Sequence, residues 1–183
     1  MELRTKRLVL RQLRREDLPD LVENINNINV SKWLLVVPYP YTVKDAREYL
    51  RHTQKSWKVR NKKDYSFTIA KKEDNVLIGG CGIHKISKEQ GTAEMGYWLG
   101  ERYWRQGYGT EGMNAMIEFA FGKLGLRRIN SGVFRGNPSS GKMQEKLGFK
   151  NEGLRRKGCV CKADGKIKDE YAYGLLKEEW IRL

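Results

Sequence analysis

The segment from residue 92 to residue 125 constrains the fold of this chain most, because a strand, a glycine-rich turn and a long helix follow one another there. The strand-like TAEMGYWL leads through WRQGYGTEG into a helix that we expect to run from Gly107 to Leu124 and to end at Gly125. One face of this helix must pack on a sheet. The apolar residues that recur on that face at steps of three and four are Met113, Met116, Ile117, Ala120, Phe121 and Leu124.

The rest of the 183-residue chain supplies the elements around that unit. We predict an opening strand in LRTKRLVLRQL that ends near Leu13, a helix in RREDLPDLVENINN and a second helix capped by Thr42. The aromatic, proline-broken SKWLLVVPYPY is predicted to be a loop or extended segment. Further strands are expected in YSFTIAK, VLIGGCGIHKI, RINSGVF, FKNEGLRRK and IKDEYAYGLL, with a short helix in SSGKMQEKLG. This order predicts an α+β fold, and without a dividing linker we expect residues 1–183 to form a single domain.

The glycines of the turn suit a bound anion. Gly107 and Gly109 have no side chains where the N–H groups of a helix start would face a phosphate, and Arg105 adds a full positive charge. With Gly112 they also spell G-x-G-x-x-G. However, ERYWRQ separates them from the strand, and arginines stand about 20 residues further on, where a nicotinamide-binding turn needs an acid. We favour a pyrophosphate-bearing ligand; glycines that serve helix–sheet packing alone are the alternative.

Composition narrows the class of partner without choosing one. The formal net charge of +14 favours nucleic acid, an acidic surface or a polyanionic cofactor, although solvated lysine-rich faces would give the same charge. Cys81, Cys159 and Cys161 suggest neither a disulfide framework nor a zinc site, so no metal is expected. No apolar run approaches the roughly 20 residues of a membrane span, and MELRTKRLVL lacks a signal-peptide pattern, so we expect a cytoplasmic protein.

Several stretches resemble one enzyme family. AEMGYWLGERYWRQGYGTEG is similar to the acyl-CoA-binding motif of the GNAT superfamily of acetyltransferases, and INSGVFRGNPSSGKMQEKLGF is similar to that family's second half. The opening LRTKRLVLRQLRREDLPDL and the closing DEYAYGLLKEEW resemble RimJ/RimL-type ribosomal-protein N-acetyltransferases. The resemblance implies a mixed, mostly antiparallel twisted sheet of about seven strands flanked by helices. It also implies transfer of an acetyl group from acetyl-CoA to an amine.

The same resemblance implies an acetyl-CoA site. The glycine turn would hold the pyrophosphate through backbone N–H groups, and the strand before it would lie along the pantetheine, with a backbone N–H near Leu99 stabilising the oxyanion. The side chains of Tyr97 and Trp98 could equally be ordinary sheet packing, and Lys142 a solvated surface lysine. The cofactor-binding residues so implied are Tyr97, Trp98, Leu99, Arg105, Gln106, Gly107, Tyr108, Gly109, Thr110, Asn137, Ser140 and Lys142.

The match to the family is incomplete at three positions. Trp104 stands where the phosphate motif has Gln or Arg. Gln144 stands where many relatives have the tyrosine that protonates the leaving thiolate. Gly132 stands where some relatives have a glutamate, on the strand before the Asn of the N-x-x-S motif. The catalytic residues therefore need their own assignment.

Ser140 becomes the first choice to protonate the thiolate, the alternative being that the two adjacent serines cap the short helix. Glu94 resembles the Glu of the family pattern AEIGYWL and is the candidate base. Glu111 is more typical of a first-turn acid that interacts with the helix dipole, and Asp169 and Glu170 are further candidates.

The free-energy cost of deprotonating an amine narrows the choice of acceptor. At pH 7 a neutral α-amine costs about 1–1.4 kcal/mol and a neutral lysine roughly 4.6 kcal/mol. A site without an evident strong base therefore favours a protein N-terminus, held between the WLLVVPYPY region and the strand with Glu94. The alternatives are a polyamine or aminoglycoside acceptor, which the positive net charge disfavours, and a non-enzymatic module that binds RNA or ribosomes. Ribosome association and a homodimer stay open as further partnerships.

Overall fold

A computed structural model describes residues 1–181, in which eight strands form one sheet flanked by five helices. The sheet order is β1-β2-β3-β4-β5-β6-β8-β7, and every neighbouring pair is antiparallel except β5 and β6. This confirms the mixed α+β sheet, with one strand more than the expected seven. The strands are β1 Leu3–Arg4, β2 Leu8–Arg11, β3 Tyr65–Lys71, β4 Leu77–Ser87, β5 Thr92–Leu99, β6 Arg128–Phe134, β7 Lys150–Val160 and β8 Ile167–Leu176.

The extra strand comes from the N-terminal segment, where the prediction of one continuous strand is wrong. The chain reverses between β1 and β2, which pair with each other. Thr5 drives the reversal, since its N–H donates to Leu8 O (3.0 Å) and its hydroxyl accepts from Leu8 N–H (2.9 Å). A side chain that satisfies its own backbone in this way favours a turn over a continued strand.

The helices begin and end where local chemistry predicts. Thr42 and Asp45 form a reciprocal capping box at the start of α3, as expected from the sequence. The predicted long helix begins as α4 and continues as a π-helical turn over Phe119–Lys123, and Gly125 follows with a positive φ of 66°. No helix within residues 1–181 is long and apolar enough to cross a membrane. The helices are α1 Leu18–Ile25, α2 Ile28–Ser31, α3 Val43–Lys58, α4 Tyr108–Glu118 and α5 Pro138–Lys146.

Two buried clusters lie on the two faces of the sheet. Successive residues of a strand point to opposite faces, and on β4 Ile78 joins the cluster around α4, whereas Leu77 joins the cluster around α1 and α3. On β5, Leu99 and Trp98 divide between the clusters in the same way. Both faces of the central strands are therefore covered, which explains the almost continuous burial along β4.

The ladder between β5 and β6 is short. The two parallel strands pair at only three positions, from Thr92 opposite Arg128 to Glu94 opposite Asn130. Beyond these positions β5 continues to Leu99 and β6 continues to Phe134, but the two strands no longer pair with each other. The sheet is therefore split between these strands toward their C-terminal ends.

Candidate active site

A cavity of about 560 Å³ lies at the split between β5 and β6. Residues 96–99 of β5 form one wall, and residues 131–134 of β6 form the other. The glycine turn before α4, the start of α5 and the segment from Trp33 to Leu35 complete the lining. Each wall is a strand edge that has no partner across the split, so main-chain N–H and C=O groups of those two edges face the cavity.

The cavity passes from one face of the sheet to the other. On the face of α4 and α5, Gly109 lies against Tyr97, and a Cβ at Gly109 would be only 3.5 Å from that ring. Ser131 also points to this face, because Gln144 of α5 donates its Nε2–H to the Ser131 hydroxyl at 2.9 Å. The next residue, Gly132, faces the opposite side, where Glu170 of β8 lies against it. Two molecules could therefore meet at the split from opposite faces.

The glycine turn is held from outside the cavity, and the helix that follows it begins without a side-chain cap. Gly107 is the N-cap residue of α4 with a left-handed φ of 82°, and no side chain caps the helix. Arg7 braces the turn from behind by donating from Nη1 to Gln106 O (2.9 Å). Arg105, also left-handed at φ 60°, lines the cavity. Free N–H groups beside an arginine suit an anionic ligand.

Glu111 ties α4 to the turn between β1 and β2. Its carboxylate accepts hydrogen bonds from the Thr5 hydroxyl (2.6 Å), from Arg7 N–H (2.7 Å) and from Arg7 Nε (2.7 Å). Burial acts to raise the pKa of Glu111, but these hydrogen bonds from Thr5 and Arg7 outweigh it and lower the pKa. Glu111 therefore acts as a structural anchor, in line with its interpretation as a first-turn acid.

Most of the cofactor-binding residues expected from the sequence line this cavity, and three do not. Gln106 donates to Arg102 O (2.8 Å), the Tyr108 ring lies under the Arg7 guanidinium at 4.3 Å, and Lys142 is exposed away from the lining. The expected residues that do line it are Tyr97, Trp98, Leu99, Arg105, Gly107, Gly109, Thr110, Asn137 and Ser140.

Asn137, rather than either serine, caps α5. Its Oδ1 accepts from Ser140 N–H at 3.2 Å, so the interpretation of the paired serines as helix caps is wrong. The Ser140 side chain instead lines the cavity together with Tyr97. Burial raises the pKa of Tyr97, and the nearby Ser140 hydroxyl offsets part of that rise. A hydroxyl that does not cap the helix and a half-buried phenol thus lie in the same cavity lining.

Gln144 presents an unsatisfied acceptor in the lining. The residue is 1% exposed, and its Oε1 has no hydrogen-bond partner among residues 1–181. A buried acceptor left unpaired costs about 1–3 kcal/mol, so a ligand N–H at this position would be favourable. The amide N–H groups of a pantetheine arm have the required chemistry, and Gln144 lies on the same face as the glycine turn.

The carboxylates are arranged differently from the sequence-based expectation. Glu94 lies outside the cavity lining, 51% exposed, with its Oε1 2.9 Å from Lys85 Nζ, because it is the last β5 residue that still pairs with β6. Asp169 is held by Arg135 and by the N–H of Lys157. Glu170 is the carboxylate that lines the cavity among the described residues. Its position follows from the pairing of β8 with β6, for which the sequence carries no local signal.

The wall from Trp33 to Leu35 is fastened to the β7–β8 hairpin. Lys168 donates from Nζ to Lys32 O at 2.6 Å, and the same ammonium lies 5.6 Å from the centre of the Trp33 ring. Lys162 N–H donates to Leu35 O at 3.1 Å. Only the first part of the predicted substrate-lining region WLLVVPYPY therefore contributes to the cavity.

Comparison with known proteins agrees with the architecture of the site. Residues 7–150 match the model of the family described as Acetyltransferase (GNAT) domain. The uncharacterized N-acetyltransferase p20 of Bacillus licheniformis is 34% identical over 178 residues, which are 97% of either chain. YdaF of Bacillus subtilis, provisionally named a ribosomal N-acetyltransferase, is 28% identical over 94% of this chain and 93% of its own.

Solved structures share the fold over nearly the whole chain. An acetyltransferase of the GNAT family from Bacillus anthracis superposes with a TM-score of 0.81 at 26% identity, covering 98% of this chain and all of its own. A spermidine N-acetyltransferase from Vibrio cholerae, solved with CoA and spermine, gives a TM-score of 0.78 at 21% identity, over 94% of this chain and 96% of its own. At that identity the likeness concerns the fold alone.

Proposed function

The chain belongs to the acetyltransferase (GNAT) family, and from that premise we propose that it transfers the acetyl group of acetyl-CoA to the N-terminal α-amine of a protein, such as a ribosomal protein. That it is an acyltransferase follows from the family. The choice of acceptor is our inference, and so is the cytoplasm as the location, where acetyl-CoA and newly made proteins meet.

We assign the helix face of the cavity to acetyl-CoA. The uncapped N–H groups of residues 107–110 and the Arg105 guanidinium would hold the pyrophosphate. The unpaired Gln144 Oε1 would accept an N–H of the pantetheine arm, beside Tyr97 and Leu99. The thioester would then lie at the split of the sheet, with the hydroxyl of Ser140 beside its sulfur.

The transfer needs one bond to form and one to break. The neutral amine attacks the thioester carbon, the C–N bond forms as the C–S bond breaks, the nitrogen releases one proton to water, and the thiolate gains one proton. We assign the donation to the thiolate to Ser140, whose hydroxyl is free of a capping role. A backbone N–H near Leu99 would stabilise the oxyanion.

The observation that carries the choice of acceptor is the charge of the opposite face. This part of the lining contains Trp33, Leu34, Leu35 and Phe134 and, among the described residues, a single carboxylate, Glu170. Lys168 Nζ lies 5.1 Å from the centre of the Phe134 ring and Arg155 contacts Glu170, so this face can balance at most one further ammonium group. A polyamine would bring several, and the net charge of +14 would repel it further. The name of the relative YdaF agrees with a ribosomal acceptor.

The proposal is tested with matched acceptors and mass spectrometry. We expect a lysine-free peptide with a free N-terminus to be acetylated at that terminus. The same peptide with a blocked N-terminus and one internal lysine should be a poor acceptor, as should spermidine. Acetylation of the lysine, or of spermidine alone, would overturn the choice of acceptor without affecting membership of the family.

A further inference from the structure

Glu170 occupies space that a side chain on β6 would need. A Cβ built on Gly132 would lie 2.0 Å from Glu170 Oε1 and 2.6 Å from its Cδ, and real atoms do not approach so closely. Glu170 is opposite Phe134 in the β6–β8 ladder, so its side chain is on the same face as Phe134 and Gly132. The missing side chain at position 132 therefore gives a carboxylate from the neighbouring strand access to the split.

The carboxylate is only partly neutralised by the protein. Arg155 of β7 approaches Glu170 Oε2 at 3.3 Å, but the arginine side chain is 65% exposed, so water shares this contact. Oε1, the oxygen over Gly132, receives no hydrogen bond within residues 1–181. The Glu170 side chain itself is 18% exposed. A mostly buried carboxylate with one oxygen free, on a cavity wall, favours binding of a cationic donor.

We propose that Glu170 binds the acceptor amine and positions it for attack. Glu170 does this from β8, the strand beside the wall strand β6. This inference rests on the proposed transfer reaction. The ligand of Oε1 is a primary ammonium group that enters from the face opposite the glycine turn, and it releases one proton to water before the neutral amine attacks. The specificity for one positive charge then follows because Arg155 already contacts Oε2, which leaves Oε1 for a single ammonium group.

Glu170→Gln tests the charge while keeping the shape. We expect the KM for the peptide acceptor to rise at least about tenfold, since a charge-assisted hydrogen bond is lost. The affinity for CoA, which binds on the other face, should stay within about twofold of wild type. Asp169→Asn is the matched control, because that carboxylate is on the same strand but is directed to Arg135 and Lys157.

Two further variants test the position of the carboxylate. Gly132→Ala should displace the Glu170 carboxylate and reproduce the KM defect of Glu170→Gln, because only the end of a flexible side chain has to move. The exchange Gly132→Glu with Glu170→Gly returns a carboxylate to the same space from β6. We expect it to recover most of the acceptor affinity that Glu170→Gln loses. Thermal melting and CoA binding establish that each variant is folded.

The outcomes separate this inference from the proposed function. If wild type acetylates the peptide and Glu170→Gln has an unchanged KM and kcat, the role of Glu170 is wrong while the transfer reaction stands. If wild type acetylates no peptide, calorimetric titration of the peptide into CoA-saturated protein still decides. Weaker binding by Glu170→Gln than by Asp169→Asn would then support the inference, and equal binding would overturn it.

Discussion

The hydroxyl of Ser140 lines the cavity and does not cap α5, and that makes its chemical role testable. We expect Ser140→Ala to lower kcat by about a hundredfold, as is typical when a positioned acid is lost. The affinity for CoA should change little, because the cap of α5 is made by Asn137 and by the Ser140 backbone, which alanine retains. Steady-state kinetics and calorimetry on the same preparation measure both quantities. A kcat equal to wild type would leave Ser140 as a packing residue.

Arg105 and Arg102 form a matched pair for the phosphate site. Arg105 lines the cavity, whereas Arg102 is directed away from it to Glu23, with its Nη1 2.8 Å from that carboxylate. We expect Arg105→Gln to weaken CoA binding by roughly threefold to tenfold, as for a charge-assisted contact near the surface, and Arg102→Gln to leave it almost unchanged. Similar losses in the two variants would indicate that general charge, rather than a contact, holds the cofactor.

Gly109 is closely packed, so a larger residue at this position would disturb the packing as well as the phosphate site. A Cβ there would meet Met143 Sδ at 3.2 Å and the side chains of Leu99 and Tyr97 at 3.5 Å. A valine would therefore overpack the contact between α4, α5 and β5, at a cost of about 1–3 kcal/mol. A loss of CoA affinity in Gly109→Val would therefore combine disturbed packing with blocked approach of the phosphate.

Among the elements, the turn between β1 and β2 depends on Glu111. We expect Glu111→Gln to lower the free energy of unfolding by about 2 kcal/mol, because three hydrogen bonds to a partly buried charge are weakened. For a chain of this size that corresponds to a fall in Tm of roughly 4–8 °C. Glu89→Gln, at an exposed position, is the control.

The same variant predicts a pH dependence. The folded-state pKa of Glu111 is lowered, so its stabilisation is present above the unfolded value of about 4.3 and is lost as the pH falls through the folded value. The difference in stability between wild type and Glu111→Gln should therefore shrink in acid. Urea titrations across the acid range measure it. A difference that stays constant would mean that the anchor does not depend on the Glu111 charge.

Elements defined by local pattern could be predicted from the sequence, and those defined by strand neighbours could not. The α4 pattern, the Thr42 cap and the glycine turn each depend on residues close together in the chain. The resemblance to a family motif favours Glu94, yet this residue is on the paired part of β5, just before the split. Glu170 reaches the cavity only because β8 lies beside β6 and because Gly132 lacks a side chain. Pairings between distant segments carry no comparable local signal.

At the scale of the whole molecule, the net charge of +14 acts on both substrates in opposite directions. Acetyl-CoA is an anion, so its KM should rise several-fold between low ionic strength and about 0.5 M salt, where the Debye length has fallen to a few ångströms. The KM for a cationic peptide should change less or fall, because salt also screens the repulsion. A parallel rise for both substrates would contradict this, since it would indicate a general loss of activity.

The split between β5 and β6 also has a consequence for the order of events in turnover. A passage open on both faces lets the donor and the acceptor occupy the protein together, so the acetyl group has no need to rest on a side chain between two half-reactions. We therefore expect double-reciprocal plots at several fixed acceptor concentrations to intersect, as for a ternary complex. Parallel lines would mean that one substrate must leave before the other enters, and the passage would then serve them one at a time.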